Sequence, residues 1–344
     1  MIRIYPEQLA AQLREGLRGC YLTFGNEPLL LQESLDNIRA VAQQQAFHEH
    51  FSFTLDNNTD WDAIFSTCQS LSLFASRQTL LLVLPENGPS ASMNEQLVKL
   101  SEFLHPDILL MLRGNRLTKS QENSVWFKTL SQNNVYIPCI TPEQEQLPRW
   151  VAQRAKTMKL ELDDPASQLI CYYYEGNLLA LVQALERLSL LYPDGKLTLP
   201  RVEHTVDDAA HFTPYHWLDA LLGGKSKRAW HILQQLRQEE CEPVILLRTV
   251  QRELLLLLTL KRQMSATPLR ALLDQHKVWQ NRRALLTQAL QRLSLLQLQQ
   301  AIGLLAKLEI TLKQNYGQSV WSELETLAMI LCGKALPTSL LEVY

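Results

Sequence analysis

The sequence predicts a parallel α/β domain followed by two all-helical domains. Two observations carry that reading. Short apolar runs of strand length alternate with amphipathic helical stretches as far as residue 140. Beyond Thr141-Pro142 the apolar residues recur only at helical spacing. A third observation separates the parts by charge. Residues 1–140 hold 10 basic and 14 acidic side chains, residues 141–210 hold 7 and 11, and residues 211–344 hold 16 and 10. The net charges are −4, −4 and +6, so only the last part favours a polyanion. The expected domains are 1–140, 141–210 and 211–344.

In the first part, Pro6 to Leu17 is amphipathic and helical. Cys20 to Phe24 is a strand closed by Gly25-Asn26. Glu27 to Phe47 carries Leu29, Leu30, Leu35, Ile38 and Val41 at helical spacing. Phe51 to Leu55 is a second strand, and Thr59 is the expected N-cap of a helix from Trp61 to Cys68. Strands follow at Thr79–Leu84, Ile108–Leu112 and Val135–Pro138, with helices at Met93–Leu104 and Ser120–Leu130. Apolar strands alternating with helices imply a largely parallel sheet covered on both faces.

In the second part, Gln144–Lys159, Pro165–Tyr174 and Leu178–Leu191 read as helices. Pro193-Asp194-Gly195 is a turn, and Pro200 opens a helix. The third part is a bundle of seven helices, from Tyr215–Leu222 to Ser319–Cys332, punctuated by Gly223-Gly224, Pro268 and Gly317. No 18-residue apolar stretch occurs, so no membrane span is expected. The N-terminus lacks the apolar core of a signal peptide. Six scattered cysteines with no CxxC pair are expected to be buried free thiols of a reducing cytosol.

A parallel α/β domain followed by a small helical domain is the layout of a nucleotide-driven ATPase. Such an enzyme needs a phosphate loop after its first strand. That strand here ends Phe24-Gly25-Asn26-Glu27-Pro28, with one glycine, no lysine, an acid where phosphate would sit and a proline that removes an N–H donor. Gly224-Lys225-Ser226 copies the end of a phosphate loop but follows a helix. The strand ending Val83-Leu84 continues Pro85-Glu86, with no aspartate at its tip to hold a metal ion, and Asp207-Asp208 reads as a solvated helix end. The histidines show no HExxH or triad context, and GxSxG and GxGxxG are absent. No catalytic residue, metal ligand or cofactor is expected.

Two stretches remain. Gln69 to Gln78 links the Trp61 helix to the Thr79 strand and carries Leu71, Leu73 and Phe74 on a connection. Connections are usually polar, so these groups are either a plug in the local core or a knob for a partner. In the third part, Trp279 precedes Arg282 and Arg283, and Tyr316 sits at a helix–helix turn. Aromatics stack on unpaired bases while guanidinium groups meet phosphates. Both aromatics could equally pack the bundle.

At these residues the chain resembles the delta subunit of the bacterial DNA polymerase III clamp loader, of the enterobacterial type. The carrying stretches are Ile4-Tyr-Pro-Glu-Gln-Leu, Leu22-Thr-Phe-Gly-Asn-Glu-Pro-Leu-Leu-Leu-Gln-Glu-Ser, Ser70-Leu-Ser-Leu-Phe-Ala-Ser-Arg-Gln, Leu147-Pro-Arg-Trp-Val-Ala, Tyr174-Glu-Gly-Asn-Leu-Leu-Ala-Leu and Gly317-Gln-Ser-Val-Trp. The resemblance implies an AAA+-like α/β domain with a degenerate nucleotide site, a small lid-like helical domain and a C-terminal helical collar. It implies a subunit that binds and opens the ring-shaped sliding clamp for loading on primed DNA without hydrolysing ATP. The alternatives are an ATPase or a stator subunit of the same assembly. The stator family carries zinc cysteines and a Ser-Arg-Cys finger, which this chain lacks. The implied partners are the beta clamp, the gamma/tau ATPase subunits, delta prime and primed DNA, in the cytoplasm and away from any membrane. The clamp contact falls on Leu71, Ser72, Leu73 and Phe74, which match the end of the Gln-Leu-Ser-Leu-Phe pattern, with Gln69 one place early. Where AAA+ helical domains often carry a nucleotide-sensing arginine, Gly176-Asn177-Leu178-Leu179 has leucine.

Overall fold

The structure, a computed structural model, describes residues 1–69, 77–206, 210–314 and 320–334. The chain divides into two compact units, Met1–Asp207 and Asp208–Tyr344. The first unit is built on strands β1 (Ile2–Arg3), β2 (Cys20–Gly25), β3 (Phe47–Thr54), β4 (Arg77–Val83), β5 (Ile108–Gly114) and β6 (Val135–Cys139). They form one sheet in the order β1-β6-β2-β5-β4-β3, and every pairing is parallel.

Helices α1 (Pro6–Glu15), α2 (Pro28–Gln44), α3 (Trp61–Gln69), α4 (Ala91–Leu100), α5 (Lys119–Glu122) and α6 (Val125–Ser131) connect these strands. One face of the sheet presents Leu22, Phe24, Leu80, Leu82, Leu110 and Leu112 to α3, α4 and α6. Phe24, Trp126, Phe127 and Tyr136 form an aromatic cluster there, with edge-on contacts at 5.7 and 5.3 Å. Helices α1 and α2 cover the opposite face, against β2, β5 and β6. Strands buried on both faces are apolar throughout, which is why β2, β4, β5 and β6 stood out in the sequence.

The differences from expectation have local causes. β1 is only two residues long, too short for any periodicity. β3 begins at Phe47, inside the expected second helix, because Ala46 adopts a positive φ of 67° and ends α2 early. Asp60, not Thr59, caps α3: its Oδ1 accepts the Ala63 N–H at 3.1 Å, while the Thr59 hydroxyl turns back to Asp56. The expected helix over Ser120–Leu130 is broken into α5 and α6 at Asn123-Ser124.

The unit continues with α7 (Leu147–Thr157), β7 (Glu161–Leu162), α8 (Asp164–Tyr174), α9 (Leu178–Leu191), β8 (Lys196–Leu197) and α10 (Leu199–Glu203). Contrary to expectation, strands continue past Thr141: β7 and β8 pair in parallel as a two-stranded sheet, two residues to each strand. Gly195, at φ +70°, packs where a Cβ would press on the Lys159 carbonyl. Contacts cross residue 140 freely. Arg154 on α7 makes a two-pronged ion pair with Glu33 on α2, at 2.8 and 2.6 Å. Of the six free cysteines, Cys20, Cys68, Cys139 and Cys332 are buried as expected, but Cys171 and Cys241 are only half-buried. Burial pushes the Cys68, Cys139 and Cys332 thiols up to about 11.

The second unit holds α11 (Pro214–Leu222), α12 (Ser226–Gln238), α13 (Pro243–Gln263), α14 (Leu269–Gln275), α15 (Gln280–Arg292), α16 (Leu295–Gln314) and α17 (Trp321–Leu331) around one apolar core. Arg292 is its polar keystone. Its Nη2 donates to the Leu221, Leu222 and Leu331 carbonyls at 3.0, 2.9 and 3.1 Å. These are helix-end carbonyls of α11 and α17 with no partner inside their own helices. Gly224 and Gly333 leave those helices at φ +69° and +76°, and a Cβ on either would meet the Arg292 side chain. The Gly224-Lys225-Ser226 segment is thus a helix-to-helix turn. Among the described residues, no helix is long and apolar enough to cross a membrane. Replacing Arg292 with leucine should lower unfolding stability by about 2–3 kcal/mol, measured by urea denaturation followed by circular dichroism.

Candidate functional site

In an open parallel sheet, ligands bind at the carboxyl ends of the strands, and a helix N-terminus there can cradle phosphate. Here that place is filled by the chain itself. Gly25 ends β2 so close to the Cys139 backbone that a Cβ would overlap its carbonyl. Glu27, 4% exposed, caps α2: its carboxylate accepts the Leu29 N–H at 3.3 Å and the Thr141 hydroxyl at 2.9 Å. Its own N–H donates to the Cys139 carbonyl at 3.2 Å. Pro28 contributes no N–H. The chain's own carboxyl group therefore fills the N-terminus of α2, the kind of place where a helix can cradle phosphate. The cavity at the ends of β4 and β5, lined by Phe24, Leu84, Pro85, Glu86 and Arg116 among others, measures about 210 Å³. That is below the range of about 300–1,000 Å³ usual for small-molecule sites. Leu179 is 52% exposed on α9, which Asn177 caps by accepting the Ala180 N–H at 3.1 Å.

The clamp-binding candidates Leu71, Ser72, Leu73 and Phe74 lie outside the described residues, as does Tyr316. Their frame is described. The stretch leaves the C-terminal end of α3 and enters the N-terminal end of β4. Since all strands run parallel, it leaves the sheet at the edge opposite Gly25, about 20 Å away along a seven-residue strand. Gln78 Nε2 donates to the Thr67 carbonyl at 2.6 Å, and His105 Nε2 donates to the Cys68 carbonyl at 3.3 Å. The Asp107 carbonyl accepts the Gln78 N–H at 2.9 Å, and its carboxylate meets Arg77 Nε at 3.2 Å. Arg77 also donates to the Gln45 carbonyl at 3.2 Å and lies over the Phe47 ring.

Three of the DNA candidates lie in the described part of the second unit. Trp279 precedes α15 and is 79% exposed, so it does not pack the bundle. Arg282 pairs with Asp219 and lies 3.8 Å from Glu253. Arg283 pairs with Asp274 at 2.7 Å and donates to the Val278 carbonyl at 3.0 Å. Both guanidinium groups are committed to carboxylates of their own unit, which spacing in the sequence could not reveal. A cavity of about 370 Å³ between α14 and α15 is lined by Leu269, Arg270, Leu273, Gln280, Arg283 and Thr287.

A parallel α/β unit whose first strand-to-helix turn is capped from within by Glu27, followed in the chain by a helical bundle, defines the class of fold. The comparisons with known proteins narrow it. A family model described as "DNA polymerase III, delta subunit" matches residues 21–140, and one described as "Processivity clamp loader gamma complex DNA pol III C-term" matches residues 214–338. The DNA polymerase III subunit delta of Escherichia coli is 68% identical over 336 residues, 98% of each chain. That of Haemophilus influenzae is 45% identical, over 96% of this chain and all of the relative. Among solved structures, the Bacillus subtilis DNA clamp loader delta protein superimposes with a TM-score of 0.54 at 16% identity, over 96% of this chain and 100% of that one. The chain belongs to the delta subunit family of DNA polymerase III, and its place is in the clamp loader of DNA replication. The parallel α/β fold with a C-terminal helical part is the layout expected from the sequence.

Burial holds the Glu27 carboxyl above its ordinary range, opposed by the bonds from Thr141 and Leu29. The folded chain thus binds this proton more readily than the unfolded one. The resulting stability is present below the unfolded pKa and is lost as pH rises through the folded pKa. Glu27→Gln, which keeps an oxygen acceptor for the Leu29 N–H, should flatten that decline in melting temperature between mildly acidic and neutral pH.

Proposed function

We propose that this chain is the clamp-opening subunit of its loader and that it works by binding alone. The observation that supports this is the plugged phosphate seat at Gly25 and Glu27. A domain that keeps the ATPase frame but fills its nucleotide position with its own carboxylate has its use in contacts. The runner-up readings, an ATPase or a stator, require features this chain lacks: a phosphate loop for the first, zinc cysteines for the second.

In this reading Leu71, Ser72, Leu73 and Phe74 form the clamp contact. Burying each large side chain is worth roughly 1.5–3 kcal/mol, so three together reach several kcal/mol before association costs that are themselves several kcal/mol. Anchoring does not by itself open a ring. A ligand shifts an equilibrium only through its differential affinity for the two states. The opening energy then comes from contacts that only the distorted clamp offers. The partners are the beta clamp, the gamma/tau ATPase subunits and delta prime, in the cytoplasm. The parts 1–140, 141–210 and 211–344 serve as clamp-binding, lid-like and collar domains.

The same reading gives the second unit a secondary contact with primed DNA. Trp279 supplies a stacking face, and Tyr316 a second aromatic. Arg282 and Arg283 contribute there mainly by fixing the start of α15, since carboxylates already neutralise them.

Changing Leu71, Leu73 and Phe74 together to alanine should abolish capture of the purified clamp while leaving the melting temperature unchanged. Clamp capture that survives this change would remove the assignment. In the assembled loader, Trp279→Ala should weaken primed-DNA binding by about 1–3 kcal/mol, measured by fluorescence anisotropy at fixed salt.

A further inference from the structure

We infer that Arg270 and Lys277 are the phosphate-contacting residues of the DNA contact at Trp279, and that the site they form with its ring takes an unpaired strand. The inference rests on the reading of Trp279 as a stacking face. It names the charges and the kind of strand that go with that face.

A stacked base brings its phosphates with it, so a stacking residue works beside cations that are free to meet them. The two arginines that follow Trp279 are not free. Arg282 faces Asp219 and Glu253, and Arg283 faces Asp274. Arg270 and Lys277 are exposed and make no ion pair among the described residues. Asp274, the one acid of α14, is already engaged by Arg283 at 2.7 Å.

The fold sets these two cations on either side of one short helix. Arg270 is the second residue of α14, and Lys277 is the second beyond its end. Seven positions are close to two helical turns, which separates them by about 10 Å along α14. At Lys277 the chain turns into α15 with a φ of +51°, a conformation that side chains other than glycine rarely adopt. Three bonds hold this turn. The Lys277 N–H donates to the Asp274 carbonyl at 3.0 Å, the Val278 N–H to the Leu273 carbonyl at 2.9 Å, and Arg283 Nε to the Val278 carbonyl at 3.0 Å. Val278 is buried in the apolar core, while its neighbours Lys277 and Trp279 are both exposed, the ring to 79%. A buried residue between a cation and a ring fixes charge and stacking face together, so less freedom is lost when a strand docks. Backbone held in such a sparsely populated conformation is typical of functional positions. The cavity between α14 and α15 completes the site, because Arg270 and Gln280, the residue after Trp279, both line it.

The strand that fits is an unpaired one. In a duplex the faces of the bases are covered by their neighbours, whereas an unpaired base offers its face to an indole. On primed DNA that strand is the template beyond the primer.

The test uses the assembled loader and dye-labelled primed DNA, with affinity measured by fluorescence anisotropy over a series of salt concentrations. Each single-strand phosphate contact contributes about 0.7 to the slope of log affinity against log salt. Arg270→Gln together with Lys277→Gln should therefore make the slope shallower by about 1.4, with the melting temperature of the chain unchanged because both side chains are exposed. On a blunt duplex of the same primer length the two changes should leave the affinity where it was. Arg283→Gln should leave the slope where it was, because Asp274 already neutralises that guanidinium. An unchanged slope for the double variant overturns the proposal. So does an equal fall in slope for Arg283→Gln, or an equal loss on the blunt duplex. Trp279→Ala separates the proposal from the reading beneath it. If that change weakens primed-DNA binding while the double variant keeps its slope, the assignment of the phosphate contacts alone fails. If it leaves primed-DNA binding unchanged, the stacking reading fails with it.

Discussion

The first unit is organised by one electrostatic fact: a buried carboxylate caps the helix that follows its first core strand. Glu27 lies where the strand end, the N-terminus of α2 and Thr141 converge. Its bonds to Leu29 and Thr141, together with its own N–H on Cys139, close the gap between β2 and the chain leaving β6. The helix terminus that would attract phosphate is satisfied from within.

That closure has a second effect. Because the loop after β6 is fastened to the start of α2, the helices that follow are drawn onto the same body. Arg154 and Glu33 add a two-pronged ion pair between α7 and α2, and α9 also packs on α2. Residues 1–207 therefore form one compact unit, although composition and periodicity change at residue 140. The second unit depends on a single cation in the same way. Arg292 collects helix-end carbonyls from α11 and α17, and two glycines make room for it.

The two ends of the sheet carry different chemistry. The carboxyl edge is sealed by Gly25, Glu27 and Cys139. At the amino edge Gln78, His105 and Asp107 join the last turn of α3 to the start of β4. A parallel sheet is a stiff base for such a connection, because β4 is flanked on both sides and buried on both faces.

The apolar runs of β2, β4, β5 and β6 were legible in the sequence because strands buried on both faces must be apolar throughout. The helical bundle was legible because its period persists through every leucine-rich segment. The acid and the proline at the first strand-to-helix turn could also be read directly. Contacts between residues distant in sequence were not legible. No local pattern places Gln78 on Thr67, His105 on Cys68 or Asp219 on Arg282, because side chains separated by 11, 37 and 63 positions meet only after the sheet or bundle has formed. For the same reason the arginines beside Trp279 looked available for phosphate until folding supplied their carboxylates. The sequence by itself determined most of the elements, which are properties of neighbouring residues. Only the tertiary structure decided which charges are already spent and which residues join α3 to β4, because pairing energies depend on distances that chain topology creates.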